Sequence, residues 1–234
     1  MEKQNRFNKK QIFFVVLLIV TTNLFYHAKT IFEKADNYSF AKPKDSLPFF
    51  MGKDLEPQWT KEAQKDFRKI SDFEMIDQMN QMIKSDSLKN QITIVSFFFT
   101  KCAGICPTIT NQLRRVQSSI EKEKKIKILS FSATPDLDSP EVLAKYAEER
   151  KIDSSKWKLL TGNKDSIYKL ARESFNADTI TKGEKLKGRT ENDFLHSENI
   201  YLLDQNLYLR GIYNGKDALS VNDLIEDIKV LKQK

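Results

Sequence analysis

An α/β fold with a central parallel sheet is predicted by three features of this 234-residue chain: strand and helix signals that alternate from 92 to 176, two strands joined tightly at 204–206, and a last amphipathic helix. Ile92-Thr-Ile-Val-Ser-Phe-Phe-Phe99 is β-branched and aromatic throughout, the pattern of a strand covered on both faces. After a loop over 100–106, Pro107 opens a helix in which Ile109, Leu113, Val116 and Ile120 recur at helical spacing. Residues 126–134 read as a second strand, and Ser139-Pro140-Glu141 as an N-cap with proline at the first helical position. The helix that follows has Val142, Leu143, Tyr146 and Ala147 as its apolar stripe. A short third strand at 158–161 and a helix over 166–176, carrying Ile167, Leu170, Ala171 and Phe175, complete the alternation. Short crossovers of this kind feed parallel strands. Beyond a polar, lysine-rich loop at 177–193 the pattern changes. Residues 199–203 and 207–213 form an antiparallel hairpin through Asp204-Gln-Asn206, and Ser220-Val-Asn-Asp223 reads as a capping box for a closing helix with Val221, Leu224, Ile225, Ile228 and Leu231 inward. Parallel βαβ units followed by a C-terminal antiparallel hairpin and closing helix are the order of a thioredoxin-like fold with an enlarged helical middle.

Composition bounds what this domain does. With 40% hydrophobic and 30% charged residues the chain is neither a polytopic membrane protein nor a disordered one, and its two cysteines exclude a disulfide-dense scaffold. The net charge of +7 is lopsided: residues 1–30 hold Lys3, Arg6, Lys9, Lys10 and Lys29 against Glu2 alone, so four of the seven charges lie there. A nearly balanced body argues against a nucleic-acid surface. Directly after the basic start, Ile12 to Tyr26 is apolar except for Thr21, Thr22 and Asn23, and residues 10–28 reach about 28 Å as a helix, close to a bilayer's hydrocarbon thickness. No small-residue pair marks a cleavage site, since Tyr26 would stand two before Ala28. The expected organisation is a cytoplasmic basic segment at 1–10, a single transmembrane signal-anchor at 11–28, a tether at 29–66 and the folded domain at 67–234. The positive-inside rule puts the domain outside the cytoplasm, on the periplasmic or exterior side of the cell (inner) membrane. Leu47-Pro-Phe-Phe50 and Pro57-Gln-Trp59 predict that the second half of the tether packs on the domain.

Both cysteines fall in one window, Cys102-Ala-Gly-Ile-Cys106, followed at once by Pro107. The loop leaves the C-terminal end of the central strand and enters a helix N-terminus, the sheet edge at which open α/β folds place their sites. A helix N-terminus favours anions, so the Cys106 thiolate is expected to be stabilised there and its pKa lowered, with Gly104 letting the loop bring both sulfurs to one point. A bridge across three residues would constrain the unfolded chain by less than about 3 kcal/mol, a poor reason for the pair. A redox dithiol, a metal site or both remain. Of the two histidines, His27 lies at the membrane end, whereas His196 precedes the hairpin, where a thioredoxin-like arrangement faces the cysteine loop. Two thiolates and an imidazole are a soft set suited to copper, Cu(I), or Cu(II) with a further ligand, and structural zinc would want a fourth protein ligand that the domain lacks.

The strings Phe98-Phe-Thr-Lys-Cys102-Ala-Gly-Ile-Cys106-Pro107-Thr, Ser132-Ala-Thr-Pro-Asp-Leu-Asp-Ser-Pro-Glu-Val-Leu143, and Leu195-His196-Ser with Tyr201-Leu-Leu-Asp204 resemble the SCO/SenC family of membrane-anchored copper-binding proteins, over about residues 67–230. The resemblance implies copper ligation by Cys102, Cys106 and His196, with the cysteines as a redox dithiol, and service in assembly of the copper centre of cytochrome c oxidase. It implies as partner the copper subunit of that oxidase or another copper or thiol acceptor at the membrane. It points to metal delivery rather than an enzyme, with an exported thiol-disulfide oxidoreductase as the alternative. Two positions depart from the family pattern: Thr134 stands where many members are acidic, and Gly104 where an aspartate is often found, while Asp138 is retained.

Overall fold

In the computed structural model of this chain the described residues are 21–22, 46–177 and 197–233. The chain divides into two compact units, Met1–Lys44 and Asp45–Lys234, and the architecture below is that of the second. The segments read as cytoplasmic stretch and as signal-anchor, 1–28, lie outside the described residues apart from Thr21 and Thr22. Among the described residues no helix is long and apolar enough to cross a membrane.

In chain order the strands are β1 (Phe49–Met51), β2 (Glu56–Gln58), β3 (Glu74–Asp77), β4 (Met82–Lys84), β5 (Ile92–Phe98), β6 (Ile126–Ser132), β7 (Trp157–Thr161), β8 (Asn199–Leu203) and β9 (Leu209–Asn214). The helices are α1 (Cys106–Ser119), α2 (Pro140–Glu149), α3 (Lys164–Phe175) and α4 (Ala218–Lys232). Seven strands share one sheet in the order β4-β3-β7-β6-β5-β8-β9. β5, β6 and β7 run parallel, and β8 and β9 add antiparallel on one side. Every residue of β5 is buried, because its alternate side chains enter two cores. Ile92, Ile94 and Phe98 pack with α1, α2 and α4, through Leu113, Val116, Leu143, Val221 and Leu224. Val95 and Phe97 pack with α3 through Ile167, Leu170, Ala171 and Phe175. Helices thus cover both faces, the thioredoxin-like α/β arrangement that the alternation predicts.

Local chemistry moves several boundaries. Ser139 caps α2 as expected, accepting from the Val142 N–H at 3.4 Å, but Val142 is exposed rather than part of the stripe. α4 begins at Ala218, not at the Ser220 capping box: Asp217 accepts from the N–H groups of Leu219 and Ser220, and the Ser220 hydroxyl instead accepts from Asn214 N–H. The hairpin β3–β4 pairs antiparallel to the free edge of β7 and is not announced by any long apolar run. It is pinned by buried Asp77, which accepts from the N–H groups of Met79 and Gln81 and from Lys158 Nζ at 2.7 Å.

The stretch from Leu47 to Gln58 is a built part of the domain. Leu47, Phe49 and Phe50 are buried, and Phe49 stacks on Phe67. The buried Arg210 guanidinium clasps this segment, donating to the carbonyls of Pro48 (2.9 Å) and Leu47 (2.6 Å), pairing with Asp204 (2.9 Å) and lying 3.7 Å from the Phe49 ring centre.

Candidate dithiol and metal site

The site begins where β5 runs out. Ser132, the last residue of β6, is in register with Phe98, and Ala133 N–H donates to the Phe98 carbonyl at 2.7 Å, so the two strand ends are held together. The chain then turns: Cys102 N–H donates to the Phe99 carbonyl at 3.3 Å, and α1 starts at Cys106 with Pro107 in its first turn. Cys102 is half-buried and Cys106 is buried, and both are free thiols. The loop does not need glycine for its backbone angles. Gly104 is absent from the left-handed region, and a Cβ there would meet nothing closer than Cys102 Sγ at 4.0 Å.

The two thiols have opposite electrostatics. Burial alone pushes the Cys102 thiol up, but the Cys106 S–H and the backbone N–H groups of Cys106, Gly104 and Ile105 donate to its sulfur and carry it below its ordinary value. Burial pushes Cys106 up to about 12, and its role as donor to Cys102 adds to the rise. The expectation that the helix N-terminus lowers the Cys106 pKa is therefore corrected. The N–H groups of Gly104 and of Ile105 and Cys106 at the helix start serve the Cys102 sulfur, while the Cys106 side chain lies in the core with Ile109 and Phe98, where the N–H groups of Phe99 and Cys106 only partly offset its burial. Behind Cys106 a small cavity is lined by Thr110, Tyr146, Ser96, Ser130 and Trp157. Burial raises Tyr146, whose hydroxyl meets that of Thr110 at 3.1 Å.

A second cluster sits at the base of the loop. The Asp138 carboxylate is fully buried and accepts from Thr100 N–H (3.3 Å) and from the hydroxyls of Thr100 (2.5 Å), Ser132 (2.5 Å) and Thr134 (3.1 Å). Thr134 thus serves as a hydroxyl donor to the neighbouring carboxylate. The sequence alone gives Asp138 no role, because its partners are scattered from 100 to 134 and meet only in the fold.

Cys102 and Cys106 are brought together; His196 lies outside the described residues. Its neighbour Ser197 is described: buried, with its hydroxyl 3.0 Å from that of Tyr201. Because Tyr201 pairs with Val95 and β8 runs antiparallel to β5, Ser197 precedes β8 at the sheet edge where β5 passes into the cysteine loop. Among the described residues no group of three His, Cys, Asp or Glu side chains is placed to hold a metal ion.

Comparison with known proteins agrees with this architecture. The SCO1/SenC family model matches residues 61–233. An SCO1 protein homolog of Bacillus subtilis is 30% identical over 162 residues, covering 68% of this chain and 81% of that protein. The SCO1/SenC family lipoprotein of Bacillus anthracis has a crystal structure that superposes with a TM-score of 0.61 at 29% identity, covering 70% of this chain and 95% of that one. BsSco, described with a disulfide switch and as a member of the Sco family of cytochrome c oxidase assembly proteins, superposes at 0.60 with 28% identity over 71% and 95% of the two chains. Arabidopsis thaliana ScoI, solved with copper bound, shares the fold at a TM-score of 0.55 and 23% identity, over 70% and 98%. A family model that spans the βαβ units, the cysteine loop and the closing hairpin and helix makes this chain a member of the SCO1/SenC family.

Proposed function

We propose that this chain is a membrane-tethered copper metallochaperone and thiol-redox protein: its reduced dithiol captures copper as cargo and passes it by ligand exchange to an acceptor at the same membrane, such as the copper centre of cytochrome c oxidase. The observation that carries the reading is the pair of free thiols at the C-terminal edge of β5, one half-buried and one buried, each shifting the other's pKa. Two adjacent sulfurs are the soft donors that Cu(I) favours, so the residues fit this metal. His196 is assigned as the third ligand on the family motif, and the oxidase assembly role described for BsSco supports the acceptor. Residues 11–28 are assigned as the single-pass anchor, with the domain facing the periplasm or cell exterior. Tethering raises the effective concentration of donor near acceptor.

The chain's own groups divide the work. Cys102, held toward its thiolate by three backbone N–H groups, is the entry ligand; Cys106 gives up its proton as it becomes the second. Oxidation of the pair to a disulfide removes both ligands, which couples metal loading to redox state.

A second reading, an exported thiol-disulfide oxidoreductase, is favoured by the same asymmetry, since an accessible low-pKa thiol beside a buried one is the arrangement of an attacking and a resolving cysteine. Anaerobic titration with Cu(I) and Cu(II), beside a measured dithiol potential, separates the two. Tight stoichiometric binding lost in Cys102→Ser and Cys106→Ser supports delivery; weak binding together with rapid reduction of disulfide substrates supports the reductase. A His196→Ala variant that binds copper as tightly as wild type removes His196 from the site.

A further inference from the structure

We propose that Asp138 is a positioning residue for the dithiol: acting through Thr100, it fixes where Cys102 stands relative to Cys106. Asp138 is fully buried, and among the described residues no cation pairs with it. Such a carboxylate is costly to keep unless its oxygens are filled with hydrogen bonds. Here they are, entirely by donors: one backbone N–H and three hydroxyls. The Ser132 hydroxyl gives its one proton to the acceptor-only carboxylate, while its oxygen accepts from Thr134 N–H at 3.0 Å. Asp138 is itself held by its backbone, whose N–H donates to the Thr134 carbonyl at 3.0 Å just before α2.

Two of the four hydrogen bonds come from one residue, Thr100, gripped by both its backbone and its side chain. Thr100 lies inside the turn that the Cys102 N–H closes onto the Phe99 carbonyl. That turn sets the Cys102 sulfur against the N–H groups of Gly104, Ile105 and Cys106 and against the Cys106 thiol. The grip on Thr100 links the fixed carboxylate to the less buried end of the sulfur pair. Asparagine at 138 would direct an NH2 group at a donor, and the loop would lose its anchor.

This inference rests on the dithiol being the working site proposed above, but it is read on the thiols alone, so a failure of copper binding leaves it standing. The test equilibrates the full chain with glutathione: protein dithiol and glutathione disulfide exchange to protein disulfide and two glutathione thiols, which take up the two thiol protons. Asp138→Asn and Thr100→Val are each expected to shift the equilibrium constant by about tenfold, about 30 mV for a two-electron couple. The double variant shifts it no further than the larger single change. Ser132→Ala, which removes a donor from the same carboxylate but lies on the sheet, lowers the unfolding temperature and leaves the constant within twofold of wild type. The role is overturned if folded Asp138→Asn and Thr100→Val both stay within twofold of wild type, or if Ser132→Ala shifts the constant as far as they do. Should Asp138→Asn fail to fold, Thr100→Val against Ser132→Ala decides the question.

Discussion

The opposite electrostatics of the two thiols set a measurable order of reaction. With a pKa of about 12 against an ordinary 9.0, Cys106 carries about a thousandfold less thiolate at pH 7 than an unperturbed thiol. Intrinsic nucleophilicity rises with pKa by a Brønsted slope of about 0.4–0.5, which returns about fifteen- to thirtyfold, so ionisation alone slows Cys106 by about thirty- to sixtyfold. Its 4% exposure slows it further. Cys102, lowered and half-buried, gains thiolate at the same pH. Pulsed alkylation of the reduced chain with iodoacetamide at pH 7, read by mass spectrometry of the peptide that carries both residues, is expected to modify Cys102 at least about thirtyfold faster than Cys106. The Cys102 rate should rise with pH to a plateau whose midpoint lies below 9.0, the ordinary value. Equal rates within threefold, or modification of Cys106 first, would refute the assignment of the helix N–H groups to the Cys102 sulfur.

Three further outcomes follow from the packing. Arg210→Met leaves Asp204 as a buried unpaired carboxylate and frees two carbonyls of the Leu47–Pro48 segment; a loss of about 3–5 kcal/mol by urea unfolding is expected, and one below about 1 kcal/mol would show that the clasp is not structural. Gly104→Ala meets only a 4.0 Å contact and needs no left-handed backbone, so stability should stay within about 1 kcal/mol of wild type with any change favourable; a larger loss would mean that the loop requires glycine. Cys106 is raised in the fold, so the unfolded chain loses this proton first. Its contribution is whole below about pH 9 and falls by up to about 1.4 kcal/mol per pH unit towards 12, and Cys106→Ala should flatten that alkaline decline in urea midpoints taken from pH 8 to 11.

Much of this architecture is written in period and punctuation. The unbroken β-branched and aromatic run of β5, the recurrence of Ile109, Leu113 and Val116, and Ser139-Pro140 before α2 mark elements whose burial agrees with those patterns. The place of the cysteine loop follows from the same reading. What spacing does not encode is direction. Whether the N–H groups at the helix start favour Cys102 or Cys106 depends on how one turn is wound, and that turn is held by Asp138, 38 positions beyond Thr100 in the segment after β6. The β3–β4 hairpin is illegible for another reason: its strands of four and three residues are too short for a period, and its stability comes from the contact of Asp77 with Lys158 eighty-one positions away. Aromatics at 49–50 and 59 signal that the tether's second half packs, whereas the buried guanidinium of Arg210 that receives it looks, in sequence, like an ordinary strand charge.

The proposed convergence of Cys102, Cys106 and His196 on one copper ion is tested most directly by X-ray absorption at the copper edge of the anaerobically Cu(I)-loaded chain. Two sulfur donors and one nitrogen donor are expected, with the nitrogen lost in His196→Ala and a sulfur lost in each cysteine variant. A spectrum that His196→Ala leaves unchanged, or one with a single sulfur in the wild type, would contradict the three-ligand site.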